Sequence, residues 1–408
     1  MKRRLRIISK NYSDMTTQTS TKWNKIRFGD LLEATIKVPL KKGDIYDSLP
    51  MDLVSNSSKF PESFEPKVFN GSGTRFADGD TVFARITPCL QNGKIAKIKN
   101  LKGGIGFGST EFFIFRAKEG FADSDYIFYV AKTAEIRGPA EKSMTGASGR
   151  QRADKSVVEN VIINAPDFST QKQIADVLSA HDDLIENNNR RIKILEDIAQ
   201  KIYMEWFVNF RFPGYDKTKF GKDGLPEGWT VEPLDSVATV QFGYNYKAKG
   251  FTEEPVGNKV VRIRDILNGD SKTFSVESVD SKYQIEVGDI LIGMDGIFHM
   301  RIWSEKDCYL VQRVAGVRSS LPSLFLIESI KKQLDYFQKT IMGATVGHLS
   351  NGNVRGFKII LPKDRAILDV FENLTKEVIR LEIVNRNLQK SLDLLIPQLV
   401  TGKLEIKP

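Results

Sequence analysis

Gly149-Arg150-Gln151-Arg152 forms the best cluster of donor side chains in a loop-like stretch of this 408-residue chain. A guanidinium offers paired donors that match the O6 and N7 edge of guanine, and a glutamine amide matches the N6 and N7 edge of adenine. Arg75, Arg85 and Lys94 lie in or beside other turn-rich stretches of the same N-terminal region. Arg262, Arg264, Arg301, Gln312, Arg313 and His348 hold comparable places in the C-terminal half. Side chains of these types hold phosphate by charge or read base edges by paired hydrogen bonds. The plainer alternative for each is a solvated surface charge.

Other chemistries find less support. His181, His299 and His348 are far apart, so a zinc site of the usual ligand spacing is not expected. Cys89 and Cys308 are the only cysteines, which excludes a disulfide framework and points to a reducing compartment. No G-x-x-x-x-G-K-[ST] phosphate loop occurs; Gly93-Lys94 comes nearest but lacks the upstream glycine and the hydroxyl. Phe69-Asn70-Gly71-Ser72-Gly73 matches the F-x-G-x-G pattern of methyl-donor sites. The turn-rich TRFADGD follows it in place of a helix, so a surface loop is the expectation.

The formal charge of +9 suggests an acidic partner, nucleic acid first, against the alternative of surplus surface lysine. With 41% hydrophobic and 10% aromatic residues the chain is globular. It is long enough for more than one core. The start, MKRRLRIISK, is basic, but no apolar segment follows it, and no apolar run approaches the ~20 residues that span a membrane. The expected location is the cytoplasm.

The elements that position the loop residues begin with a long seam. Ile174, Leu178, His181, Ile185, Asn188, Ile192, Leu195, Ala199, Ile202 and Trp206 recur at steps of four and three, the pattern of a helix packed lengthwise on another helix. Such a helix over 171–206 is roughly 50–55 Å long. Thr170 with Gln173 reads as its capping box. Before it come short strand candidates at 81–86, 94–99, 111–115 and 161–166, the Gly-rich GGIGFG at 103–108, and a helix over 126–136. After it come strand candidates at 259–266, 289–294, 301–304 and 358–362 and a helix over 323–338. A second seam closes the chain: Ile367, Phe371, Leu374, Val378, Leu381, Asn385, Leu388, Leu392, Leu395 and Leu399. Asp364 is placed to cap it, and Pro397 is expected to end or kink it near Ile396.

The chain therefore repeats itself. Gly146-Ala147 and Gly343-Ala344 are 197 apart, Asn189-Arg190 and Asn385-Arg386 are 196 apart, and Gly79-Asp80 and Gly288-Asp289 are 209 apart. The expected domains are a flexible tail (1–21), a globular domain (22–168), a long helix (169–212), a linker (213–224), a second globular domain (225–363), and a second long helix with a C-terminal tail (364–408). The fold class is α+β, with short twisted strands in the two domains and two antiparallel coiled-coil helices in a pseudo-two-fold repeat. Asn188 and Asn385 sit near the middle of their seams. A polar residue there fixes register; the alternative is two tolerated, partly exposed asparagines. The aromatic run Trp206, Phe207, Phe210 and Phe212 is expected to plug helix onto head, with a docking patch as the alternative. A rod carrying two basic heads suits two separated sites on one nucleic acid.

Several stretches resemble one family, the specificity (S) subunits of Type I restriction-modification enzymes. They are the helix with its WFVNF tail (174–210), LPEGW (225–229), TGASG and MGATVG with their following apolar-Pro runs, and QLVTGKL (398–404). The resemblance covers about 22–408. It implies two target recognition domains, each reading half of a bipartite asymmetric DNA site, with the helix pair setting the gap between the halves. It also implies two M subunits that methylate adenine from S-adenosylmethionine, and R subunits that add ATP- and Mg-dependent translocation and cleavage. The S subunit itself holds no cofactor, no metal and no catalytic residue. The absence of any Pro-Pro dipeptide, and so of the Asn/Asp-Pro-Pro-aromatic element of such methyltransferases, agrees with this. The rival readings are a coiled-coil scaffold and a free-standing DNA-binding regulator.

Overall fold

The computed structural model describes residues 23–147, 149–341 and 347–406. The expected tail, 1–21, and Gly343-Ala344 lie outside them. The chain forms two compact units. One comprises the residues through Glu186 together with those from Leu388 onward, and the other spans Asn187–Asn387.

The first unit runs β1 (Asn24–Arg27), β2 (Ile45–Leu49), β3 (Glu65–Val68), β4 (Thr74–Ala77), β5 (Thr81–Ala84), β6 (Ile95–Lys97), β7 (Ile105–Gly108), β8 (Phe112–Phe115), α1 (Ser124–Lys132), α2 (Ala134–Lys142), α3 (Lys155–Glu159), β9 (Ile162–Ala165) and α4 (Phe168–Tyr203), of which residues to 186 belong here. The sheets have orders β3-β2-β7-β4 and β6-β5-β8, and β1 pairs with β9 just before α4. β5 and β8 read as apolar runs because all their residues are buried. The Gly-rich stretch turns at Gly103-Gly104 and then runs on as a strand, β7. A Cβ on Gly106 would lie 2.6 Å from the Asp47 carbonyl oxygen, and one on Gly108 2.4 Å from that of Leu49. Only glycine allows β2 and β7 to approach so closely. The helix expected over 126–136 is two helices, because Thr133 is extended (ψ 155°) and its hydroxyl donates to the Val130 carbonyl at 2.7 Å.

Phe28, Phe83, Phe115, Tyr126, Tyr129, Ile174 and Leu178 share this core with Leu392, Ile396 and Leu399. Polar ties fix α4 on the sheets. Lys59, almost fully buried, donates from Nζ to Ser179 at 2.7 Å and pairs with Asp125 at 2.8 Å. The Tyr129 hydroxyl donates to Asp182 at 2.5 Å. Burial pushes the Lys97 ammonium down to about 8, and its Nζ donates to the Gly79 carbonyl at 2.8 Å.

The second unit continues with β10 (Thr230–Pro233), α5 (Leu234–Val237), β11 (Thr239–Phe242), β12 (Phe251–Thr252), β13 (Asn258–Val261), α6 (Ile263–Asn268), β14 (Thr273–Ser275), β15 (Gln284–Ile285), β16 (Ile290–Gly293), β17 (Met300–Ile302), β18 (Cys308–Leu310), β19 (Val314–Arg318), α7 (Ser323–Ile341), α8 (Asn351–Arg355), β20 (Lys358–Leu361) and α9 (Asp369–Val400), of which residues from 388 belong to the first unit. Its sheets have orders β11-β19-β16-β17 and β12-β14-β13-β18-β15, and β10 pairs with β20. The strand expected over 259–266 ends at Val261, where Arg262 turns the chain into α6. Phe207, Trp229, Phe325, Ile330, Phe371 and Val378 build the core.

The repeat holds in the central strands and in the pair that precedes each long helix, while the outer strands and helices differ. β5 and β16 each pair with the following strand and with β8 or β19, and β1–β9 matches β10–β20. α4 starts three residues before the expected Gln171, with Asp167 and not Thr170 as its cap, for Asp167 Oδ1 accepts from the Thr170 amide at 2.9 Å. Asp364 caps the 3-10 turn Arg365–Leu368, and α9 follows it. Pro397 does not stop α9. Its missing N–H lies in the last turn, and Leu399 and Val400, each 3% exposed, hold that turn in the core of the first unit.

Candidate nucleic-acid interface

In the first unit three segments meet at one junction. The amide of Arg85, which follows β5, donates to the Glu111 carbonyl at 3.0 Å, and the Ala153 amide donates to the Arg85 carbonyl at 2.8 Å. Ile86 bridges Arg152. Glu111, just before β8, then grips two of the sequence-expected arginines. Arg152 Nε and Nη2 donate to its carboxylate at 2.9 and 2.6 Å, and Arg85 Nε donates at 3.2 Å. The Arg152 hydrogen bond, with help from Arg85, holds the Glu111 carboxyl below the usual glutamate range against the opposing effect of burial. Gln151 is beside them, its amide N–H donating to Thr87 Oγ1 at 2.9 Å, and Arg150 is exposed one residue earlier.

Arg75 and Lys94 stand apart from this group. Arg75 lies 5.0 Å over the Phe69 ring and donates to the Val38 carbonyl at 3.3 Å. Lys94 Nζ is taken by the Met51 carbonyl at 2.8 Å. The FNGSG stretch is the turn between β3 and β4, with Asn70 Oδ1 accepting from the Ser72 amide at 3.0 Å.

The second unit builds the same junction. The Met294 amide donates to the Arg313 carbonyl at 2.9 Å, the Leu349 amide to the Met294 carbonyl at 2.8 Å, and Asp295 bridges His348. Arg313 thus stands where Glu111 does, His348 where Arg152 does, and Asp295 where Ile86 does. His348 Nδ1 bonds to Asp295 Oδ1. Arg313 Nη1 lies 2.5 Å from His348 Nε2, and its Nε is 3.6 Å from Asp295 Oδ2. Gln312 is exposed beside Arg313.

The remaining candidates are scattered. Arg262 packs 5.3 Å over the Phe251 ring and Arg264 is exposed, 3.7 Å from Asp265. Arg301 braces β17 on α9, donating to Glu382 at 2.8 Å and to the Leu267 carbonyl at 3.1 Å. On the helices, Asn188 Nδ2 donates to Asn385 Oδ1 at 2.8 Å, and Asn385 Nδ2 donates to Asn189 Oδ1 at 2.8 Å. Arg191 pairs with Glu377 at 2.8 Å. Glu111 and Asp295, the carboxylates that orient the arginines, escaped the sequence reading because it looked only for donors. Their signal is position: Glu111 directly precedes β8, and Asp295 follows β16 by two residues.

Among the described residues no group of three or more His, Cys, Asp or Glu is placed to hold a metal ion. What the two units repeat is a junction of loops presenting arginine, glutamine and histidine, the equipment of a nucleic-acid-reading protein made by internal duplication. Residues 20–197 and 226–389 both match the type I restriction modification DNA specificity domain, and the chain belongs to that family, the non-catalytic specificity subunits of type I restriction-modification systems. It is 26% identical over 319 residues to the type I restriction enzyme MjaIX specificity subunit of Methanocaldococcus jannaschii, covering 70% of each chain. It is 33% identical over 367 residues to the EcoAI specificity subunit of Escherichia coli, covering 66% of this chain and 62% of that one. Its fold is that of the type I restriction-modification S subunit from M. genitalium, with a TM-score of 0.51 at 13% identity over 96% of this chain and 98% of the other.

Proposed function

We propose that this chain reads a bipartite, asymmetric DNA site, one half through the target recognition domain at 22–168 and the other through that at 225–363. The paired helices set the unspecified gap, with Asn188 and Asn385 fixing their register. The observation that carries this reading is the duplicated junction, the same backbone bonds dressed with different side chains. Equal frames with unequal readers suit a site whose halves differ. Two M subunits supply adenine methylation from S-adenosylmethionine, and R subunits supply ATP- and Mg-dependent cleavage. The complex works on DNA in the cytoplasm.

Co-expression with its M subunits is expected to give adenine methylation at a split site, read by sequencing modified DNA. Replacing residues 22–168 with the corresponding domain of a relative should change one half-site and leave the other. A continuous site, or an unchanged one after the replacement, overturns the reading.

A second expectation concerns the gap. Four residues add about 6 Å of helix, near two base-pair steps at ~3.4 Å each, and four is close to one turn, so the seam stays nearly in phase. Inserting four helix-forming residues near Asn188 should lengthen the gap with both half-sites intact. A changed half-site sequence contradicts the ruler.

A further inference from the structure

The geometry points to the loop junction as the place where each domain reads a guanine, through Arg152 in the first domain and Arg313 in the second. This rests on the DNA-reading function and names the specificity-determining side chains within it.

Arg152 is already oriented. Glu111 takes Nε and one face of Nη2, which fixes the guanidinium plane and leaves the Nη1 and outer Nη2 hydrogens pointing away from the carboxylate. Those coplanar donors match the O6 and N7 acceptors of guanine in the major groove. The side chain is 45% exposed. A phosphate contact draws its strength chiefly from net charge. Here the carboxylate cancels much of the charge and supplies the plane, which favours base reading over phosphate binding.

The second domain reaches the same end with different residues. Arg313 takes the place of Glu111, and it is gripped in turn by His348 and Asp295, leaving Nη2 unclaimed among the described residues. Its φ of +72° lies in the left-handed region, which a non-glycine residue adopts only when its surroundings hold it there. The Met294 amide on the Arg313 carbonyl and the two side-chain contacts do so. In both domains a braced guanidinium projects from the junction: Arg152 presents a free fork, and Arg313, from the facing position, presents the Nη2 amino group.

The test uses the complex of this chain with its M subunits and a library of DNA sites, read by methylation and by equilibrium binding. Arg152→Ala should relax one position of one half-site, cutting discrimination for G by roughly 5- to 150-fold. Arg313→Ala should do the same in the other half. Arg152→Lys keeps the charge but not the fork, and is expected to relax the same position; it also serves where the alanine variant does not assemble. Glu111→Gln should loosen that position more weakly.

A uniform loss of affinity for all sequences, with the salt slope reduced by about one and Arg152→Lys behaving as wild type, makes Arg152 a phosphate contact and overturns the inference. So does an unchanged motif, or both arginines acting in one half-site. A wild-type complex that methylates no split site would instead remove the functional reading beneath it.

Discussion

Asp80→Ala is expected to cost the first unit about 3–5 kcal/mol, the size of a broken buried ion pair. That is a large share of the about 5–15 kcal/mol that holds a typical domain together. Asp80 is fully buried. Its Oδ1 accepts from Arg116 Nε at 2.7 Å, and its Oδ2 accepts from Arg116 Nη2 at 2.7 Å and from the Ala77 amide at 2.8 Å. One carboxylate thus closes the turn from β4 into β5 and anchors the end of β8. Alanine leaves a half-buried guanidinium and a backbone N–H without partners, and neither finds water easily. The second unit makes the same bonds with Asp289: Arg318 donates at 2.9 and 2.7 Å, and the Glu286 amide donates at 2.8 Å.

The matched pair gives the experiment its control. Hydrogen exchange along urea titrations, followed in β5 and β16 separately, should show Asp80→Ala lowering protection in β5 and sparing β16, with Asp289→Ala doing the reverse. Separate probes are needed because two units do not give one two-state free energy. A change below about 1 kcal/mol in β5 would mean that water or a rearranged Arg116 replaces the carboxylate at little cost.

The same Asp pair shows what a sequence reveals here. Gly79-Asp80 and Gly288-Asp289 were visible as an equivalence, and so were the two helical seams, because period and repeat survive in one dimension. β5, β8 and β9 stood out as apolar runs closed by turns. β7 did not, since its pairing demands glycine and glycine reads as a turn. α6 did not, since six residues at a strand end give too little periodicity to separate helix from strand. Asp167 lost to Thr170 as the cap because both types cap helices and the sequence gives no backbone angle. At the junction the arginines and His348 were legible and their carboxylate partners were not. Glu111 and Arg152 are 41 residues apart, and Asp295 and His348 are 53 apart. Only the fold brings such pairs together, and it is the pairing that turns a surface charge into an oriented reader.

Phe207→Ala should be the most damaging single truncation in the second unit, at about 3–5 kcal/mol. The sequence left the aromatic run after α4 divided between a core plug and a docking patch, and the packing decides for the plug. Phe207 is fully buried. Its ring stacks on Tyr203 at 5.3 Å and meets Trp229 at 5.2 Å, Phe325 at 5.0 Å and Phe371 at 6.1 Å. These neighbours come from α4, from the opening of the second domain, from α7 and from α9, so one side chain ties four segments. The turn that carries it, Met204–Val208, is a π-helix, with the Asn209 amide reaching back to the Met204 carbonyl at 2.9 Å. The wider turn sets Phe207 inward while Trp206 remains only half-buried against Phe371. A ring enclosed by four others leaves a cavity that rigid aromatic walls close poorly, so the cost should lie toward the upper end. Phe207→Leu refills part of that volume and should cost less than half as much. Exchange protection in β16 and β19 should fall while that in β5 and β8 stays. If each domain reads its own half-site, the variant complex should lose discrimination in the half assigned to the second domain before it loses the other. Equal loss in both halves would mean that the two domains are not independent readers.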